Sequence, residues 1–300
     1  MKNTYDVIII GGSYSGLSAA MALGRTLRSV LIIDSGKPCN RFTPHSHNFI
    51  THDGAVPGDI SAKAKEQVLT YPTVEFITDT ATDAVKTGGG FMVTAASGTT
   101  YTAKKLLVAT GVVDMMPDIK GFSECWAKSV VHCPYCHGYE IRGKKTAILA
   151  NGDAAYHYAL LVSQLTDGLS IYTNGKAEFT KEQLEKFGKN NIPVNEANIA
   201  ELEHTDGYVT HIVFEDGSRQ SIDAIYSKPV NVQHTDIPEK LGCTINESGL
   251  IVVDETQRTN VAGVYASGDC TNGQRAVAIA VASGMKAGAL INAELAAEVF

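Results

Sequence analysis

Positive charge is scarce in this chain. Against 32 Asp and Glu there are 25 Lys and Arg, a formal net charge of −7, and the basic residues nowhere form a run. A protein that holds nucleic acid by neutralising its phosphates is thereby excluded, and no nucleic-acid partner is expected. Long apolar runs are missing too. The longest, AVAIAVASGMKAGALI, is broken by Gly284, Lys286 and Gly288. It falls short of the ~20 residues that a membrane span needs, so no membrane association is expected. The opening MKNTYDVIIIGG has no charged leader ahead of an apolar stretch. Cysteine is also sparse for a secreted framework: of six, those at 39, 125, 243 and 270 are scattered singly. A cytoplasmic location is the expectation.

What is present is a repeated strand–turn–helix opening. YDVIIIGGSYSGLSAAMALGR (5–25) and KTAILANGDAAYHYALLVSQL (145–165) each read as a β-rich run, a turn of small residues and an Ala/Leu-rich helix. Two such openings in 300 residues predict an α/β protein of two Rossmann-like domains. In the first copy Gly11 makes the tight turn and Gly16 lets the helix approach the strand. The helix start Ser13-Tyr14-Ser15-Gly16 offers backbone N–H groups to a pyrophosphate. Ser13 stands where the usual fingerprint has its middle glycine. A second strand, SVLIIDSG, ends at Asp34-Ser35, about 20 residues on, where an acid can bond an adenosine ribose.

The second copy is poorer. Ala150 replaces the first glycine, leaving A-x-G-x-x-A with Gly152 and Ala155. Its next strand ends in Thr173-Asn174-Gly175, without an acid for a ribose or an arginine for a 2′-phosphate. NAD(P)H binding there is doubtful. Two later strands resemble returns to the first domain, one ending in Ala109-Thr110-Gly111 and one in Gly268-Asp269. The expected layout is a discontinuous nucleotide-binding domain, 1–113 and 233–300, with a second such domain, 114–232, inserted into it; the family resemblance given below implies that the first binds FAD and that the second is NAD(P)-binding-like.

That inserted segment contains Cys133-Pro134-Tyr135-Cys136-His137. The string is compatible with a haem attachment site, half of a zinc knuckle, or a redox disulfide. Together with the fingerprint at 11–16, Asp34, the ATG at 109–111 and the GD at 268–269, it makes the chain resemble the low-molecular-weight thioredoxin reductase-like flavoproteins. The resemblance implies FAD as cofactor and a homodimer. It places Asp269 near the ribityl chain, and Arg275, Ala276 and Val277 near the isoalloxazine. It brings the loop 36–54, with Asn40 and His45, past the flavin. It also implies that Cys136 faces the flavin and Cys133 meets the substrate.

Three departures from the reductases stand out: His137 at the position of their acid, the degraded second fingerprint, and the loop GKPCNRFTPHSHNFITHDG. All three resemble the branch of gliotoxin- and holomycin-type dithiol oxidases. Zinc lacks a second C-x-x-C to complete four ligands, and no metal is expected; haem attachment would need export. The expectation is a redox disulfide, with His137, of ordinary pKa near ~6.5, moving protons at the thiols. The expected function is an FAD-dependent dithiol–disulfide oxidoreductase acting on a small dithiol or disulfide or a thioredoxin-like protein, with oxygen or a ferredoxin rather than NADPH as electron partner. The alternatives are an NADPH-dependent thioredoxin reductase, a ferredoxin-dependent one, and a flavin-binding redox sensor.

Overall fold

The structure is a computed structural model and describes residues 3–300. Strand β1 (Thr4–Ile10) leads into helix α1 (Tyr14–Arg25) and strand β2 (Val30–Asp34). A 3-10 turn (Cys39–Phe42) follows, then helix α2 (Pro57–Val68), strand β3 (Val74–Thr78), the hairpin β4 (Ala81–Thr87) and β5 (Gly90–Ala95), and β6 (Thr100–Val108). The chain crosses out through β7 (Val112–Met115). Next come the short helix α3 (Phe122–Cys125), β8 (Val130–Val131), the single-turn helix α4 (Pro134–His137), β9 (Thr146–Leu149), α5 (Gly152–Val162) and β10 (Leu169–Tyr172). Helix α6 (Lys181–Lys189), β11 (Val194–Asn195), the meander β12 (Ile199–Thr205), β13 (Tyr208–Phe214) and β14 (Arg219–Ser221), and β15 (Ala224–Ser227) complete the insert. The return runs through β16 (Val230–Gln233), α7 (Ile237–Lys240), β17 (Val264–Ala266) and α8 (Val277–Ala297).

The first compact unit comprises the described residues up to Arg41 with Phe49–Val113 and Asn231–Phe300. Its sheet runs β3-β2-β1-β6-β5-β4, and β17 also pairs β6. Strands β3, β2, β1, β6 and β17 are parallel, with Val7 opposite Val30 and Leu106 opposite Val264. Parallel strands covered on both faces need unbroken apolar runs, and VIII of β1 and VLII of β2 are fully buried. One face packs α1 and α8; β4 and β5, which pair onto the start of β6, also pack their apolar side chains with those of the other face, giving three layers. Glu294 of α8 accepts from Lys105, Arg258 and Tyr265, which ties the helix to the sheet.

The second unit comprises Asp114–Val230 and, from far earlier in the chain, Phe42–Asn48. Its parallel sheet runs β11-β10-β9-β15-β8, with the antiparallel meander β12-β13-β14 as a separate layer. The two Rossmann-type units and their nested order are as the sequence predicts. The compact units differ from the expected boundaries in two places. The return crossing falls at 230/231, and 42–48 groups with the second unit because its contacts lie there.

Helix α8 lies close along α1 because both offer small residues. A Cβ on Gly284 would overlap the Ser15 carbonyl oxygen, backbone that has no room to yield. Gly284→Ala is therefore expected to cost about 1–3 kcal/mol, read as a lowered thermal midpoint. Gly58→Ala, with nothing within 4 Å of the added carbon, is expected to leave the midpoint unchanged or slightly raised. Equal midpoints for the two variants would contradict this packing.

Candidate active site

The redox pair is built from one short stretch of chain. Strand β8 ends at Val131, paired with Tyr226 of β15, and delivers the chain to Cys133. Pro134 at the first helical position has the φ a helix needs and no N–H to satisfy. One turn then brings Cys136 back over Cys133, and the two form a disulfide with a Cα–Cα distance of 5.2 Å. Cys133 is the N-cap, and its sulfur accepts the Cys136 N–H at 3.1 Å. Tyr135 and Tyr139 stand exposed on this turn, and the Arg142 guanidinium lies 3.8 Å from the Tyr139 ring centre. The helix α4 is only four residues long, so its dipole contributes little. A directed N–H replaces it as the group that favours thiolate at Cys133.

The other cysteines differ in kind. Burial pushes the Cys125 and Cys243 thiols up and that of Cys270 to about 12, so all three are held protonated. Cys39 is partly exposed beside the Arg275 guanidinium. Among the described residues no group of three His, Cys, Asp or Glu side chains is placed to hold a metal ion.

His137 departs from its expected chemistry. It is partly buried, and burial pushes its imidazole down to about 4. The Glu140 carboxylate opposes that shift and the His47 imidazole adds to it. His47 comes from the 42–48 segment, with Nε2 at 3.7 Å from Glu140 Oε1. With the disulfide closed, His137 is thus a neutral base at physiological pH rather than a group poised near 6.5. His45 sits in that same segment, which groups with the second unit.

In the first unit the turn after β1 is shaped by backbone contact. Gly11 has φ +105°, and a Cβ on Gly16 would overlap the Gly11 carbonyl oxygen. One cleft gathers Gly11, Ser13, Asp34, Ser35, Ala109 and Thr110; a second, across the same turn, is lined by Gly12, Ser13, Asp34, Lys65 and Phe76. Asp34 accepts from Gly12 N–H at 2.6 Å and Gly36 N–H at 2.8 Å, which holds its carboxylate at the cleft. The Thr110 hydroxyl is buried with no hydrogen-bond partner among the described residues.

Several expected cofactor residues turn their side chains inward instead. The Tyr14 hydroxyl donates to Pro57 and accepts from Asn40, both at 3.1 Å, and Ser15 bonds Ser267. Gly111 and Gly268 lie at φ +67° and +84° and shape the ends of their strands. Arg275 bridges Asp269, Asn231 and Cys39, just before Ala276 caps α8 at Val277.

The second turn differs in one respect that sequence reasoning missed. Asn151 caps α5, and its Oδ1 accepts from Gly152 N–H and Glu178 N–H, both at 2.9 Å. Its Nδ2 donates to Lys176 O at 2.8 Å. An Asn directly before the glycine was the available signal.

With both turns and the disulfide in view, the comparisons are decisive. Residues 5–284 match the family described as pyridine nucleotide-disulphide oxidoreductase. The chain belongs to that family. It is 33% identical, over 99% of its length and 96% of the relative's, to thioredoxin reductase tcpT of Claviceps purpurea. The solved structure of an oxidoreductase from Agrobacterium tumefaciens is 36% identical, with a TM-score of 0.92 over 98% of this chain and 99% of that one. The structure of HlmI is 29% identical, with a TM-score of 0.94 over 100% and 95%. The resemblance to thioredoxin reductase-like proteins holds, and the chain is a flavin-dependent disulfide oxidoreductase. This family implies FAD, and the orphaned Thr110 hydroxyl, the Gly11–Gly16 approach and the held Asp34 carboxylate fit a dinucleotide in the first unit.

Folded His137 resists protonation down to about pH 4, whereas an unfolded imidazole takes its proton near ~6.5. Between those values the unfolded chain binds more protons. The histidine's contribution to stability therefore falls as pH drops from about 6.5 and levels off below about 4. His137→Gln is expected to flatten that part of the decline in thermal midpoint of the oxidised protein. An unchanged slope would contradict the burial argument.

Proposed function

We propose that this family member is a dithiol–disulfide oxidoreductase whose Cys133–Cys136 pair exchanges electrons with FAD, and that its electron partner is not a nicotinamide. One observation supports the second half most. Where the family's fold has a second dinucleotide turn, Asn151 has taken the Gly152 N–H for itself and bound the facing loop at Lys176 and Glu178. Asp153 and Glu178 add negative charge beside that helix start, unfavourable for a pyrophosphate. By contrast, the first turn keeps its cleft and its orphaned hydroxyl.

The chemistry follows from the residues of the turn. A substrate thiol, its proton lost to water, attacks the Cys133 sulfur as thiolate and releases Cys136 as thiolate. The new negative charge beside His137 raises the imidazole's affinity for a proton, and it takes the one from the substrate's second thiol. The substrate's second thiolate then attacks its own first sulfur, closing the substrate disulfide and expelling Cys133. The Cys136 N–H on the Cys133 sulfur stabilises that leaving thiolate. Two electrons have entered the pair and two protons have left the substrate. When bound, FAD supplies a two-electron acceptor for the reduced pair. The residues assigned to hold it are Gly11, Ser13, Gly16, Asp34, Ser35, Ala109, Thr110, Gly111, Gly268 and Asp269, with Arg275, Ala276 and Val277 at the α8 start. Oxygen or a ferredoxin is the partner class on the other side of the flavin. We assign the flavin-facing sulfur to Cys136 and the substrate-facing sulfur to Cys133. The opposite direction, reduction of a thioredoxin-like protein, is the second reading, favoured by the name of the Claviceps relative.

The cysteine variants separate the two roles. Cys133→Ser is expected to lower dithiol turnover by about 10³-fold or more while leaving Cys136 able to give a long-wavelength charge-transfer absorbance with bound FAD. Cys136→Ser is expected to lose both. The absorbance appearing only in Cys136→Ser would reverse the assignment, and turnover surviving in both variants would end it.

A further inference from the structure

Two buried tyrosines sit under the redox turn, and their hydroxyls are in opposite states. Tyr158 of α5 donates to the His132 carbonyl at 2.7 Å, and so fixes the chain just ahead of Cys133. Tyr226 of β15 packs against it with ring centres 5.8 Å apart. Tyr226 is 1% exposed, yet its hydroxyl has no hydrogen-bond partner among the described residues. Leaving such a group unpaired in the interior is costly, and phenylalanine would pack the same ring without that cost. Burial raises the phenol well above its usual range, with the Tyr158 hydroxyl and the Glu140 carboxylate adding to it, so the hydroxyl is a donor lacking an acceptor.

The acceptor within reach is on the turn itself. A Cβ built on Gly138 would lie 3.1 Å from Tyr226 Oη and would overlap the Pro134 carbonyl oxygen, so the two oxygens border the same small space, beside Leu165, with no hydrogen bond between them. The Pro134 carbonyl already accepts the Gly138 N–H at 2.8 Å, and a carbonyl has a second lone pair. The disulfide closes Cys133 to Cys136 across this turn, in addition to the backbone bonds from the Cys136, His137 and Gly138 N–H groups.

We infer that Tyr226 is a positioning residue for the redox turn: its hydroxyl is unpaired while the disulfide is closed and donates to the Pro134 carbonyl once the disulfide has opened. The hydroxyl thereby favours the dithiol form and raises the reduction potential of the pair. The inference rests on the proposed cycling of Cys133 and Cys136. The half-reaction is conventional: the disulfide takes two electrons and two protons to give two thiols, and in the test they come from dithiothreitol, which closes to its cyclic disulfide.

The test is a redox titration of the FAD-bound enzyme against dithiothreitol and its oxidised form. Alkylation of free thiols and mass measurement report the fraction of Cys133–Cys136 reduced. Tyr226→Phe is expected to shift the equilibrium about tenfold toward the disulfide, which is ~30 mV more negative for a two-electron couple. The thermal midpoint of the oxidised variant should be unchanged or higher. Tyr158→Phe, which removes a bond already made, should give no such negative shift. An unchanged or more positive potential in Tyr226→Phe would overturn the inference while leaving the redox role of the pair standing. An equal negative shift in Tyr158→Phe would overturn it as well, since packing alone would then be responsible. A wild-type pair that dithiothreitol does not reduce would overturn both the inference and the function it rests on.

Discussion

The bond between Cys133 and Cys136 closes a turn that is almost too short to be a helix, and the chemistry of the protein is organised around that constraint. Proline sets the first φ, the Cys136 N–H points at the Cys133 sulfur, and His137 follows at once, half hidden from water. The electrostatic preference for thiolate therefore comes from one directed donor rather than from the end of a long helix. A neutral imidazole beside a thiolate can take up a proton as the charge forms, whereas one already protonated at neutral pH cannot.

The two nucleotide-type turns build the same fold element from different contacts. In the first, the glycines are demanded by backbone contact: at Gly11 and Gly16 any side chain would collide with a carbonyl. The clefts there are flanked by a carboxylate and an unpaired hydroxyl. In the second, Asn151 caps the helix start and binds the facing loop at Lys176 and Glu178. The second unit keeps the fold without the glycines of the first turn, because the strands β9, β10 and β15 are stabilised by their own buried runs.

Much of this was readable in the residues. Apolar runs such as VIII and VLII, set against small-residue turns, state a buried parallel sheet, and two copies state two units. The cysteine pair, its proline and the acid at position 34 were equally plain. Other features were not legible because they depend on residues far apart in the chain. The segment 42–48 groups with the second unit although the first flanks it on both sides, so neither His47 near Glu140 nor the depressed His137 follows from local sequence. Tyr226 reads as one more aromatic in a buried strand; what sets it apart is a hydroxyl without a hydrogen-bond partner among the described residues. The inward turn of Tyr14 and Ser15 is hidden for the same reason, since their partners at 57 and 267 are distant.

Mixing the FAD-loaded enzyme with reductants in the absence of oxygen, and following the flavin absorbance in a stopped-flow instrument, tests the central claim most directly. A dithiol is expected to bleach the yellow colour and admitted oxygen to restore it, while NADPH and NADH leave it essentially untouched. Rapid bleaching by NADPH, or a flavin that no dithiol reduces, would contradict the account.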